Sequence, residues 1–441
     1  MSRLVFTKDL LTRLRTDLLQ CEDETCAVLF GRSVEIDGKL SRIVVRESQE
    51  ADSSAYSIRN SISAQLKPEF VAEAVQRARK NNESLVFVHT HPFSMNEFSS
   101  IDDEGEKKLM EFLQQRVPNV VHAAMLITPE VNIARELGKN RPLDVIGVGP
   151  EVSWNAKRTD EADEAKYDRQ IRAFGVEGQK ILKSLRVGIV GLGGTGSVVL
   201  QELAHLGIND FLLIDPDIVE NTNLNRLVGA TPHDIEKPKV KVAKHLALSI
   251  NPNANIDDCQ GSVLKVKTVR NLADTDFVFC CTDSHGSRAV LNQFAYQYLV
   301  PMIDMGVVIA APEKKVTHVA GRTQMLAPGL ACMICGNLLD AEEIRRDLLT
   351  DFERKNDPYI LGNAQPAPAV ISLNATIASM AVTMFLNATT GIPGSARFIN
   401  YNAMTGTSRP AMCVPHPSCV VCSSYGALAR SEEWPLPART D

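Results

Sequence analysis

Short apolar runs alternate with amphipathic stretches through the first third of the chain. CAVLFGR, SRIVVRES, SLVFVHTH, HAAMLIT and VNIARELG read as strands, while FVAEAVQRARK carries its apolar residues at helical spacing. This pattern predicts a mixed α/β domain over residues 1–150. The polar, acidic stretch EVSWNAKRTDEADEAK then breaks the periodicity and predicts a linker over 151–165. A helical run, YDRQIRAFGVEGQKILKSL, opens the second part. RVGIVGLGG, DFLLIDPD, DFVFCCTD and VPMIDMGV follow, each with the continuous apolar character of a strand covered on both faces of a parallel sheet. VVLQELAHLGI and KVKVAKHLALSI are helices between them. The fold class is therefore α/β, with a doubly wound, Rossmann-like sheet over 166–428. Residues 429–441, polar and with prolines, read as a C-terminal tail.

Composition narrows the partners. The 441 residues are 44% apolar and carry a net charge of -6, which argues against a nucleic-acid or anionic-membrane binder. No apolar run approaches a membrane span, and the N-terminus lacks the apolar core of a signal peptide. The expected location is the cytoplasm. In that reducing compartment the ten cysteines are not needed as disulfides, so the two CxxC pairs read as metal binding or redox chemistry.

His89, Thr90, His91 and Pro92 form the first chemical motif, followed by seven residues, Ser100, two residues and Asp103. Histidines two apart on a strand end point to one side, and a nearby carboxylate supplies a third ligand. Three protein ligands leave a tetrahedral zinc one open position for water, the arrangement of a catalytic site. The spacing resembles the JAMM/MPN+ metalloprotease signature. The resemblance implies a zinc isopeptidase with His89, His91 and Asp103 as ligands and Ser100 stabilising the oxyanion. Asp102 is adjacent, and the offset alone selects Asp103. Glu24, in ETCAVLFGR, matches the upstream glutamate of that family and is implied as the proton shuttle.

Gly191, Gly193 and Gly196 form GxGxxG after a strand and at the start of a helix, a phosphate-binding turn that a dehydrogenase binding NAD uses as well. The residues downstream separate the two readings. Asp215 and Asp217, Asn223 and Arg226, Lys239 and Asp283 supply cations and carboxylates suited to attack on an α-phosphate. Capping and turn roles are the alternatives for Asp217 and Asn223. With Arg169 in YDRQ, the ordered set resembles the ThiF/MoeB/ubiquitin-activating superfamily over about 165–425. The resemblance implies ATP and Mg²⁺ as cofactors. Asp215 would hold the ribose, Arg226 and Lys239 the phosphates, Asn223 the nucleotide, and Asp283 the Mg²⁺. Arg169 would reach the partner subunit's site, which implies a homodimer.

Cys332, Cys335, Cys419 and Cys422 make two CxxC knuckles, enough thiolates to fill a structural zinc. That gives one catalytic and one structural Zn²⁺. Between residues 336 and 386, where thioester-forming relatives carry a cysteine, this chain has none. The implied partner is a ubiquitin-like or sulfur-carrier protein, with a conjugating enzyme in the first case. The implied activity is adenylation of the carrier's C-terminal Gly, with zinc-dependent processing or deconjugation in the same chain. A bacterial ubiquitin-like conjugation system in defence is the first pathway, and sulfur-carrier trimming and activation the second.

Overall fold

The computed structural model describes residues 2–93, 95–154, 164–312, 315–350, 352–353 and 368–440, so most of the expected linker lies outside the described residues. The chain divides into two compact units. One comprises Met1–Lys157, Gln297–Leu299 and Ala427–Pro435; the other comprises Arg158–Tyr296, Val300–Gly426 and Leu436–Asp441.

In the first unit the strands are β1 (Arg3–Thr7), β2 (Cys26–Ile36), β3 (Lys39–Glu50), β4 (Tyr56–Asn60), β5 (Ser63–Leu66), β6 (Ser84–Thr90), β7 (Ala123–Ile127), β8 (Asn132–Glu136), β9 (Pro142–Val148) and β10 (Ser153–Trp154). The helices are α1 (Lys8–Leu18), α2 (Pro68–Asn81) and α3 (Ser100–Gln114). The main sheet runs β1-β3-β2-β6-β7-β8-β9-β10, and β1 also pairs with β9, so it returns on itself. Both faces of β2 are covered. Ala27 and Leu29 pack with α1 through Leu10, Leu14 and Leu18, while Val28 and Phe30 pack with α2 through Ala74 and Ala78. Two buried faces explain why CAVLF shows no polar alternation. β4 and β5 form a separate hairpin.

Residues 429–441, expected as a tail, are tied down by hydrogen bonds. The Gln297 amide donates to the carbonyls of Ser431 and Trp434, Ala429 and Ser431 are buried, and Arg439 exchanges backbone bonds with Leu264 and Val266.

The second unit holds α4 (Glu164–Ser184), β11 (Arg186–Val190), α5 (Gly194–Leu206), β12 (Asp210–Ile214), α6 (Lys239–Ile250), β13 (Asn255–Cys259), α7 (Val266–Arg270), β14 (Phe277–Cys280) and α8 (His285–Gln297). It continues with β15 (Met302–Ala310), β16 (His318–Leu326), α9 (Ala341–Leu348), α10 (Ile371–Thr389), β17 (Phe398–Asn402) and β18 (Thr407–Pro410). The sheet order is β13-β12-β11-β14-β15-β16-β17-β18, parallel through β15 and antiparallel beyond. The order reverses between β11 and β14, and such a switch point leaves a crevice at the carboxyl ends of the strands.

α10 corrects one expectation: its 19 residues are long and apolar enough to cross a membrane, although no such run was expected. Half of its apolar window is buried in this unit, and Phe385 packs edge-on against Phe277 and Phe279 of β14. Here the helix serves as core.

Candidate functional site

The first unit gathers its chemistry where β2 begins and β6 ends. Cys26 pairs with His89 across the antiparallel ladder, and Thr25 N donates to Thr90 Oγ1 at 2.8 Å. Glu24, the residue before Thr25, is thereby fixed beside His91. The β4–β5 hairpin holds it from the other side: Glu24 N donates to Asn60 O at 2.9 Å, Arg59 Nε donates to Glu24 O at 3.2 Å, and the Ala64 amide donates to the carboxylate. Burial pushes the Glu24 carboxyl up, against the pull of His89 and His91. Burial also pushes the Cys26 thiol up to about 12, which makes it inert.

The two imidazoles meet at 5.0 Å between centroids. His91 Nδ1 lies 3.0 Å from Met95 O, so that nitrogen carries the proton and Nε2 presents its lone pair to the cluster. The third member is Asp102. His89 Nε2 lies 3.2 Å from Asp102 Oδ1, and His91 Nε2 lies 3.8 Å from Asp102 Oδ2 and 3.8 Å from Glu24 Oε1.

Here the structure corrects the sequence reading by one residue. Ser99 is the N-cap of α3 and Asp102 its third residue, in a reciprocal capping box; Asp102 Oδ2 accepts from Ser99 N at 2.6 Å and from Ser99 Oγ at 2.7 Å. That leaves Oδ1 facing His89. Consecutive helical residues are turned by about 100°, so Asp103 points elsewhere and pairs with Arg135 at 2.6 Å, with its side chain 52% exposed. Ser100 is exposed for the same reason. Burial pushes the Asp102 carboxyl up, but His89 and the two Ser99 donors pull it below the ordinary range.

The donor set fits zinc. Ligands about 2.0–2.2 Å from a tetrahedral zinc stand roughly 3.3–3.6 Å apart, close to the distances here. His89 Nε2 is buried and lacks a partner in hydrogen-bonding geometry, as a metal-facing nitrogen would.

In the second unit the expected nucleotide residues converge on the carboxyl ends of β11, β12 and β14. Gly191 has φ +88, and a Cβ at Gly196 would stand 1.9 Å from Gly191 O, so only glycines permit this turn. Gly193 caps α5, leaving its first amides open to phosphate. Asp215 is buried and accepts from Leu192 N at 2.6 Å and Asp217 N at 2.8 Å; each oxygen keeps a lone pair for a ribose hydroxyl. Asp217 binds Lys239 Nζ at 2.8 Å, and Asn223 Oδ1 accepts from Glu220 N at 3.0 Å within a turn. Asn223 thus takes the turn role that is the alternative for it, while the Asp217 side chain is engaged by an ion pair.

Arg226 Nη1 donates to Thr222 O at 2.7 Å, and its stem passes 3.4 Å from where a Gly194 Cβ would lie. Asn374 of α10 lies even closer to that point, at 2.2 Å, and the sequence carried no motif that singles it out. Asp283 is exposed on the loop after β14. Arg169 is exposed on α4, and no ion pair or hydrogen bond engages its side chain among the described residues.

Cys332, Cys335, Cys419 and Cys422 place their sulfurs within 4.8 Å of one another, with 3.5 Å between Cys332 and Cys419 and 3.5 Å between Cys335 and Cys422. A zinc with Zn–S of about 2.3 Å would hold tetrahedral sulfurs about 3.8 Å apart, so the set fits. His416 N and Val421 N donate to Cys335 and Cys419, as knuckle amides do for metal-bound thiolates.

Residues 167–421 match the ThiF family, and residues 7–138 match prokaryotic homologs of the JAB domain. Molybdopterin-synthase adenylyltransferase of Escherichia coli is 30% identical over 259 residues, covering 58% of this chain and 95% of that protein. The SAMP-activating enzyme E1 of Haloferax volcanii is 25% identical over 267 residues, covering 59% and 89%. The sulfur carrier protein ThiS adenylyltransferase of Escherichia coli is 31% identical over 143 residues, covering 32% and 57%.

Proposed function

The chain belongs to the ThiF family and carries a JAB-type domain ahead of it, and on that premise we propose that it adenylates the C-terminal Gly of a ubiquitin-like protein and cleaves after that Gly. The adenylation reading is carried by the glycine turn at the switch point, with Arg226 beside it. In this reading the α5 amides cradle the triphosphate, Arg226 and Lys239 offset the charge that develops on attack, and Asp283 holds Mg²⁺. Modifier-dependent exchange of labelled pyrophosphate into ATP tests it, and absence of exchange with any carrier-type partner would refute it.

The cleavage reading rests on the Glu24, His89, His91 and Asp102 cluster. His89, His91 and Asp102 would hold a zinc ion there, which would supply a water acidified to near neutral pKa. Glu24 takes that water's proton at its carboxylate and returns it to the nitrogen of the leaving amine. We place the protein in the cytoplasm as a homodimer, in a bacterial conjugation system with a defensive role and a conjugating enzyme downstream. Activation and trimming of a sulfur carrier is the second reading. It is favoured by the lack of cysteine between residues 336 and 386, where an acyl-accepting thiol would otherwise stand.

A further inference from the structure

A buried ion cluster beside the crevice has no part in the reading so far. Asp304 of β15 is fully buried and holds two arginines: Arg288, in the first turn of α8, with Nε 3.2 Å from Oδ1, and Arg322 of β16, with Nη1 2.8 Å from Oδ2. Two guanidiniums against one carboxylate leave an excess positive charge. In a poorly solvated site that excess is costly unless an anion joins it. Asp283 lies within electrostatic reach of Arg288, but the proposed role of Asp283 commits it to Mg²⁺. Arg322 Nη1 is buried, and its contact with Asp304 falls outside hydrogen-bonding geometry, so it lacks a proper acceptor.

Register places the cluster. Cys280, the last residue of β14, pairs with Asp304, and Gly306 pairs with Arg322. Gly306 is two residues beyond Asp304, so Arg322 stands level with the loop that follows β14 and bears Asp283. Both guanidiniums also converge on one point. A Cβ at Gly306 would lie 3.2 Å from Arg288 Nη2 and 3.7 Å from Arg322 Nε. The glycine leaves open the space that the two arginines face.

We propose that Arg322, held with Arg288 by Asp304, receives the terminal carboxylate of the incoming modifier and orients it toward the α-phosphate. A planar guanidinium binds a carboxylate through two parallel N–H donors, which fixes the direction of the attacking oxygen. Asp304 is a positioning residue: it touches neither substrate but sets both arginines. Gly306 is the opening through which the carboxylate enters. This inference rests on the adenylation reading.

The test uses a fluorescent decapeptide ending in Gly-Gly with a free carboxylate, and the same peptide amidated at its C-terminus. Both are titrated into the full-length protein loaded with Mg²⁺ and a non-hydrolysable ATP analogue. The acid is expected to bind about tenfold more tightly than the amide, the worth of one charge-assisted contact of about 1.4 kcal/mol. R322Q should abolish that preference while leaving analogue affinity unchanged, and R322K should restore only part of it. Equal binding of acid and amide to the unmodified protein would overturn the proposal without any variant, as would a preference that survives in folded R322Q. Failure to bind the ATP analogue would instead sink the adenylation reading itself.

Discussion

Asp102 and Asp103 are neighbours in sequence, and replacing each in turn by Asn separates their roles. In D102N the helix cap largely survives, because an amide oxygen still accepts from Ser99, whose N and Oγ stand 2.6 and 2.7 Å from Oδ2. The stability cost is the lost anion at the N-terminus of α3, about 0.3–1 kcal/mol. The metal site should fare far worse. Even partners behind the ligands are worth about 10–100-fold in affinity, and Asp102 is the carboxylate that groups with His89 and His91 as a ligand set among the described residues. D103N loses a pair with Arg135 in which the Asp103 side chain is half exposed, worth at most about 1 kcal/mol, and Arg135 keeps Glu106 at 2.8 Å. Zinc per chain, measured by atomic emission on purified protein beside thermal melts, should therefore fall from about two to about one in D102N, since the closed four-thiolate site remains. It should stay near two in D103N. Zinc lost from D103N and kept by D102N would refute the assignment and restore the reading by offset.

Four further outcomes follow from the same geometry. E24Q should keep its zinc and lose peptide hydrolysis, read with a ubiquitin-like fusion substrate; retained cleavage would move the proton shuttle elsewhere. Mild chelation should remove the zinc at His89, His91 and Asp102 and leave that of the four cysteines, whereas C335S should lose the latter and unfold the surrounding knuckle at lower temperature. G196A forces a Cβ to 1.9 Å from Gly191 O, so the turn must move; calorimetry should show ATP binding lost and stability lowered by about 1–3 kcal/mol. R169A and D283A should each be inactive in pyrophosphate exchange, and mixing the two should restore part of it, since a mixed dimer holds one site with both residues intact; no restoration with demonstrated subunit exchange would contradict the dimer.

The elements that sequence reading located best were those with the strongest pattern. RVGIVGLGG, DFLLIDPD and DFVFCCTD are strands with both faces covered, and their carboxyl ends carry the expected glycines and acids. The cysteine knuckles were legible because thiol spacing alone constrains a tetrahedral site. Counting residues to the carboxylate failed, because where α3 begins depends on a cap. Ser99 and Ser100 are equally good caps as letters, and only the bond from Asp102 back to Ser99 decides which residue turns inward. Ala64 and Asn374 were illegible for a different reason. One acts through a backbone amide and the other through packing against a glycine far away in sequence, and neither leaves a mark in residue type or periodicity. Arg322 joins Asp304 only through the antiparallel register of β15 and β16, a pairing that local pattern does not encode.

The central claim is that this chain makes an acyl adenylate on a ubiquitin-like C-terminus. The most direct measurement is the intact mass of a cognate ubiquitin-like partner after incubation with the protein and MgATP, with pyrophosphatase present and the reaction quenched in acid. The account requires a gain of one AMP less one water, confined to the C-terminal peptide and absent with D283A protein. An unmodified partner, with ATP turned over or NAD reduced instead, would contradict it.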